Sequence, residues 1–136
     1  MDIVIFSESA DLAQRLMKPL FAEWPKLICI HNKADFFMFL HEELDADCIV
    51  ADFSSFTARD LIRVRSSLSR HPDAAVIAIV KSRFTLARIR HAGIRIAGFI
   101  QEPMPEDDLV ELVGKVIRTP DSDLSVRIIT AQEAPV

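Results

Sequence analysis

The chain has 136 residues, of which 50% are hydrophobic and 26% charged, and a formal net charge of -4. That length suits one compact domain with one core. The mildly acidic balance gives no overall pull toward nucleic acid, so direct DNA or RNA binding is not expected. Cys29 and Cys48 sit in apolar runs without CxxC or Cys/His ligand spacing, which places them in the core and points to a reducing, cytoplasmic setting rather than a disulfide framework.

Ile3-Val4-Ile5-Phe6 follows Met1-Asp2 with no basic export region, and it reads as a first strand over residues 2–6. Further Ile/Val-rich runs predict strands at 26–31, 48–52, 75–80 and 96–100. Between them, stretches of helical period predict helices at 9–23, 33–44, 57–70 and 84–92, with a last one at 106–118. Ser9 can cap the first helix, but Pro19 falls inside its Leu12, Leu16, Leu20 face, so a kink or early end is expected there. Gly93 and Gly98 fall at turn or close-packing places. In the last helix Leu109, Leu112, Val113, Val116 and Ile117 form one face, with acids in the first turn where the helix end is positive. Thr119-Pro120 stops it. The pattern is α/β, a (βα)5 doubly wound parallel sheet in three layers, with a domain over 1–119 and a tail or linker over 120–136. Leu124–Thr130 could form an extended segment in that tail. Every apolar segment is interrupted by a charge, so no membrane span is expected.

Open parallel sheets place ligand chemistry at the carboxyl ends of their strands. Those ends carry Ser7, Glu8 and Ser9, then Asp52, then Val80, Lys81 and Ser82, then Gln101, Glu102 and Pro103. With Asp47-Cys48-Ile49-Val50-Ala51-Asp52, Phe99 and Pro103 in this order, residues 1–118 resemble the receiver domain of bacterial response regulators, a flavodoxin-like fold. The resemblance implies a pocket in which two acids after the first strand and an aspartate ending the third bind magnesium and accept a phosphoryl group. It also implies a switch aromatic at Phe99.

Four departures remove named parts of that chemistry. Ser7 stands for the first acid, leaving Glu8 and Asp52 as a weak magnesium pair. Val80 stands for a Thr or Ser and cannot donate the hydrogen bond that links phosphorylation to movement of the aromatic. Glu102 stands for the lysine that pairs with the phosphoryl group and puts an anion near Asp52 and Glu8. The loop Phe53-Ser54-Ser55-Phe56-Thr57 lacks the family's Met-Pro and later Gly and is about two residues short, so Phe53 or Phe56 could cover the pocket.

The expectation is therefore a degenerate receiver, or pseudo-receiver, that signals through protein contact, independently of phosphorylation and without enzymatic activity. No cofactor is required, beyond weakly held Mg2+. Two alternatives remain: a phosphoacceptor with residual magnesium-dependent phosphorylation at Asp52, and a cation or small-molecule sensor using the altered Glu8, Asp52 and Glu102 pocket. The four histidines and Ser7, Ser9, Ser54 and Ser55 have no ligand or nucleophile spacing and are assigned surface, loop or cap roles. No GxGxxG or GxxxxGK[ST] run occurs.

Lys81, Arg83, Arg88, Arg90, His91 and Arg95 surround the fourth helix, whereas Glu102, Glu106, Asp107, Asp108 and Glu111 crowd the start of the fifth. The resemblance implies a homodimer through the helix 4, strand 5, helix 5 face, with Arg83, Arg88 and Arg90 meeting Glu106, Asp107, Asp108 and Glu111 of a two-fold mate. Phe84, Leu86 and Ile89 are candidate apolar contacts. The other partners it implies are an effector domain or a protein of a histidine-kinase system.

Overall fold

A computed structural model describes residues 3–24, 26–42, 46–102 and 106–118. The strands are β1 Ile3–Phe6, β2 Leu27–Ile30, β3 Cys48–Asp52, β4 Ala75–Val80 and β5 Gly98–Gln101. They alternate with α1 Ala10–Glu23, α2 Lys33–His41, α3 Ala58–Leu68, α4 Arg83–His91 and α5 Glu106–Arg118. All pairings are parallel, in the order β2-β1-β3-β4-β5. The tail over 120–136, with Leu124–Thr130, lies outside the described residues, as does Pro103.

Strand alternation divides the core into two apolar layers. Ile3, Ile5, Cys48, Val50, Ile77, Ile79 and Ile100 pack on one side with Leu12, Leu16 and Leu20 of α1 and with Leu109, Leu112, Val113 and Val116 of α5. Val4, Phe6, Ile49, Ala51, Val76, Ala78, Val80 and Phe99 pack on the other with α2, α3 and α4. The expected three layers are thus present. Cys48 is fully buried in the first layer and Cys29 only partly.

Four of the five helices begin with a side chain that accepts a backbone N–H of the first turn: Ser9, Asn32, Thr57 and Ser82. Each cap satisfies a donor the helix cannot and contributes about 1 kcal/mol. Each also ends a strand-to-helix loop, and so fixes the rim on which function is expected.

Pro19 does not end α1, which continues to Glu23. A proline there removes only the donor that the carbonyl of Arg15 would accept, and Arg15 is exposed to water. Burial of Leu16 and Leu20 on either side holds the turn in place. The second helix stops at His41 rather than 44, and the fifth strand starts at Gly98 rather than 96, with Ile94 and Ile96 buried ahead of it. Among the described residues no helix is long and apolar enough to cross a membrane.

Candidate functional site

The rim at the carboxyl ends of β1, β3, β4 and β5 is built from the loops those caps terminate. Ser7 is buried, and its hydroxyl bonds within its own turn, donating to the Ser9 carbonyl at 3.2 Å and accepting the Ser9 N–H at 3.1 Å. It shapes the turn before α1. Beside it, Glu8 is exposed and accepts the hydroxyl of Ser55 from the β3–α3 loop.

Asp52 ends β3 and is 8% exposed, one of two buried polar residues among those described, with Ser7. Its Oδ1 accepts both the backbone N–H of Ser54 at 3.0 Å and the Ser54 hydroxyl at 2.5 Å. The two acids are therefore each held by one of two successive serines. Serine supplies dipoles, not charge, so these bonds satisfy a carboxylate without neutralising it.

The loop carrying both serines is itself clamped. Lys33 of α2 donates to the Ser55 carbonyl at 2.9 Å and to Asp60 at 3.1 Å, and Arg88 of α4 donates to the Phe56 carbonyl at 2.8 Å. Asp60 closes the capping box with Thr57. The Thr57 N–H, followed by the Lys33 ammonium, holds the Asp60 carboxyl below its ordinary value despite partial desolvation.

Phe53 and Phe56 do not cover this rim. Both point into the core, where they form one aromatic cluster with Phe6, Phe36 and Phe37 at centroid separations of 4.5 to 6.4 Å. The short loop brings their rings inward because apolar burial outweighs exposure over a polar pocket.

Val80 is fully buried, and Phe99 lies in the same apolar layer with Arg90 stacked over its ring at 5.8 Å. Glu102 carries β5 pairing one residue further, its N–H bonded to the Val80 carbonyl at 2.9 Å. Its Oε1 is buried with no hydrogen-bond partner among the described residues. Among them, too, no three His, Cys, Asp or Glu side chains are grouped so as to hold a metal. No hydrogen bond or ion pair among the described residues joins Glu102 to Asp52 or Glu8.

On the flanking face Arg83 and Arg90 are exposed, but Arg88 is half-buried and leans toward α3 through its bond to Phe56. Asp107 and Glu111 are exposed, Asp108 partly buried, and Glu111 pairs with Lys115 at 3.3 Å. Glu106 begins α5. Sequence reasoning gave Ser54 and Ser55 only loop or cap roles and Arg88 an interface role, did not name Lys33, and foresaw none of the bonds by which these four organise the rim. The spacing Asp52-x-Ser54 is a signal that could have found the first, since an Asp side chain commonly accepts the backbone N–H two residues on.

No protein-family profile and no curated protein sequence matches the chain. Solved structures do. A Burkholderia thailandensis protein assigned to pilus assembly, CpaE, superposes with a TM-score of 0.71 at 16% identity, over 87% of this chain and 98% of that one. A response regulator from Colwellia psychrerythraea gives 0.65 at 15% identity, over 86% and 97%. The isolated receiver domain of RcsB from Salmonella enterica serovar Typhimurium, solved with phosphomimetic BeF3-, gives 0.66 at 16% identity, over 87% and 88%. The chain has the receiver, flavodoxin-like (βα)5 fold.

Proposed function

We propose that this chain is a receiver of the degenerate, pseudo-receiver type, which works in bacterial signal transduction by contact with other proteins and without phosphorylation or catalysis. One observation carries the reading: the Asp52 carboxylate bonds to Ser54 alone among the described residues, while an acid, Glu102, stands at the end of β5. Phosphoryl transfer to a carboxylate rests on positioning and on compensating the charge of the incoming group. Here the donors on Asp52 are neutral. Val80 supplies no hydroxyl, which supports an output independent of the pocket.

The partner surface that goes with this reading is the α4, β5, α5 face, in a homodimer or against an effector domain or kinase-system protein. Arg83 and Arg90 supply its positive side, Asp107 and Glu111 its negative side. Arg88 contributes less, because its guanidinium already holds Phe56.

The test is incubation with magnesium and acetyl phosphate or beryllofluoride, read by mass and by amide spectra beside Asp52→Asn. The wild type should show no adduct and no shifts at Asp52. Rapid magnesium-dependent labelling that disappears in Asp52→Asn would instead establish a working phosphoacceptor. Spectral shifts with magnesium alone, lost in Glu8→Gln, would favour the cation-sensor alternative.

A further inference from the structure

Charge in this molecule is strongly segregated. Residues 53–101, which supply α3, β4, α4 and β5, hold nine Lys or Arg and two Asp, a balance of +7. The rest of a chain with net charge -4 therefore carries -11. Eight of the nine cations are arginines, whose planar fork pairs with carboxylates in two places at once. Of the two aspartates, Asp60 is taken up by Lys33 of α2 and by Thr57.

Two contacts show that α3 and α4 lie side by side. Arg88 reaches the carbonyl of Phe56 just ahead of α3, and the Arg65 stem lies over Gly93 just beyond α4, where a Cβ would come within 3.0 Å of its Cδ. Helical period then fixes what lines the seam. On α3, Ile62 lies one turn from Arg65 on the side away from Arg63; on α4, Phe84 lies one turn ahead of Arg88, on the outer face opposite the buried Leu86 and Ile89. Arg63 turns the other way, stacking on Phe37 of α2 at 4.1 Å. Ile62 is 51% exposed and Phe84 74% exposed, so the seam presents two large apolar side chains among arginines.

We infer that the α3–α4 seam docks an acidic segment of a partner protein that carries apolar side chains between its carboxylates. Carboxylates meet Arg65, Arg88 and the surrounding cations, and apolar residues of the segment cover Ile62 and Phe84. Aromatic and arginine anchors of this kind supply much of the energy of protein interfaces. A long polyphosphate fits less well, since it leaves both apolar side chains uncovered. This surface does not depend on the state of Asp52, and it shares Phe84 with the candidate apolar contacts of the α4, β5, α5 face.

The test uses the full chain, isotope-labelled, titrated with a synthetic peptide that alternates Asp and Glu with Leu and Phe. Polyglutamate and oligothymidylate serve as comparison ligands. The expected result is amide shifts confined to the neighbourhoods of Ile62, Arg65, Phe84 and Arg88, with affinity falling as salt rises. Phe84→Ala and Arg65→Glu should each weaken binding about tenfold or more, polyglutamate should bind about tenfold more weakly than the peptide, and Arg15→Glu on α1 should change little. Absence of shifts, shifts elsewhere, or equal binding of polyglutamate would overturn the proposal. So would tighter binding of oligothymidylate, or self-association that Phe84→Ala abolishes while the peptide gives no shifts, which would place Phe84 in a contact between two copies of this chain instead.

Discussion

Replacing Phe56 by alanine separates two roles that a phenylalanine beside a candidate pocket could have. Phe56 is 2% exposed and its ring lies 5.5 Å from Phe6, 6.1 Å from Phe36, 5.9 Å from Phe37 and 5.2 Å from Phe53. A buried phenylalanine removes roughly 150–250 Å² from water, worth about 4–6 kcal/mol at about 25 cal/mol per Å². Alanine keeps part of that, and the remaining rings relax partly into the gap, so the expected loss is about 3–5 kcal/mol. The Lys33 ammonium, 5.3 Å from the ring centroid, adds a smaller term of about 0.5–1 kcal/mol. The assay is urea unfolding followed by fluorescence of Trp24, the single tryptophan, and in parallel by far-UV circular dichroism to confirm one transition. With a slope of about 1–3 kcal/mol per molar, the midpoint should fall by about 1–5 M. Phe84→Ala is the matched control, since a side chain 74% exposed should cost no more than about 0.5 kcal/mol. A loss below about 1 kcal/mol for Phe56→Ala, or one equal to that of Phe84→Ala, would refute the assignment of Phe56 to the core and return it to the pocket's edge.

Four further outcomes follow from single residues. Because folding lowers the Asp60 pKa, its stabilisation is present above the ordinary value of 3.8 and is lost as pH falls through the lower folded value; Lys33→Met should flatten that acid-side loss in urea midpoints. Burial, reinforced by Asp47, pushes the Cys48 thiol up to about 12 from 9.0, so the unfolded chain releases its proton first and stability should fall by roughly 1 kcal/mol per pH unit between those values. Iodoacetamide at neutral pH should modify partly exposed Cys29 well before Cys48, by mass spectrometry; equal rates would contradict the packing of β3. Gly93 has φ of +85°, so Gly93→Ala should destabilise by about 1–2 kcal/mol in the same urea assay and Gly93→Asn by less, with equal losses pointing to the Arg65 contact instead.

The strands were legible because β1, β4 and β3 up to Ala51 are short unbroken apolar runs, the signature of strands buried on both faces. The Ser9 cap was legible for a similar reason, since its chemistry shows within three residues of sequence, whereas Thr57 was read as part of the third helix and caps it instead. Pro19 was misleading, as a local rule met two buried leucines that override it. At the rim, the positions of Glu8, Asp52, Val80 and Glu102 could be read from strand ends, but not what each touches. Whether a phenylalanine after Asp52 turns inward depends on Phe6 and Phe36, which arrive from elsewhere in the chain. The clamp by Lys33 and Arg88 spans 22 and 32 residues, a separation at which periodicity carries no information.

Arg88 shows why that missing layer matters for function. Read as one charge in a basic run, it belongs with Arg83 and Arg90 facing the acids of α5. Its bond to Phe56 instead turns it toward α3 and ties α4 to the loop that carries Ser54 and Ser55. A guanidinium has five donors in a fixed plane, so one bond to a backbone carbonyl orients the rest without using them up. The same side chain therefore steadies the acidic rim from behind and presents a fixed cation to the α3–α4 seam. Losing it should loosen the loop and weaken acidic ligands together, whereas Arg83→Ala should leave both unchanged. Amide exchange at Ser54 and Ser55, measured beside peptide affinity in Arg88→Met, would disprove this double role if only one of the two moved.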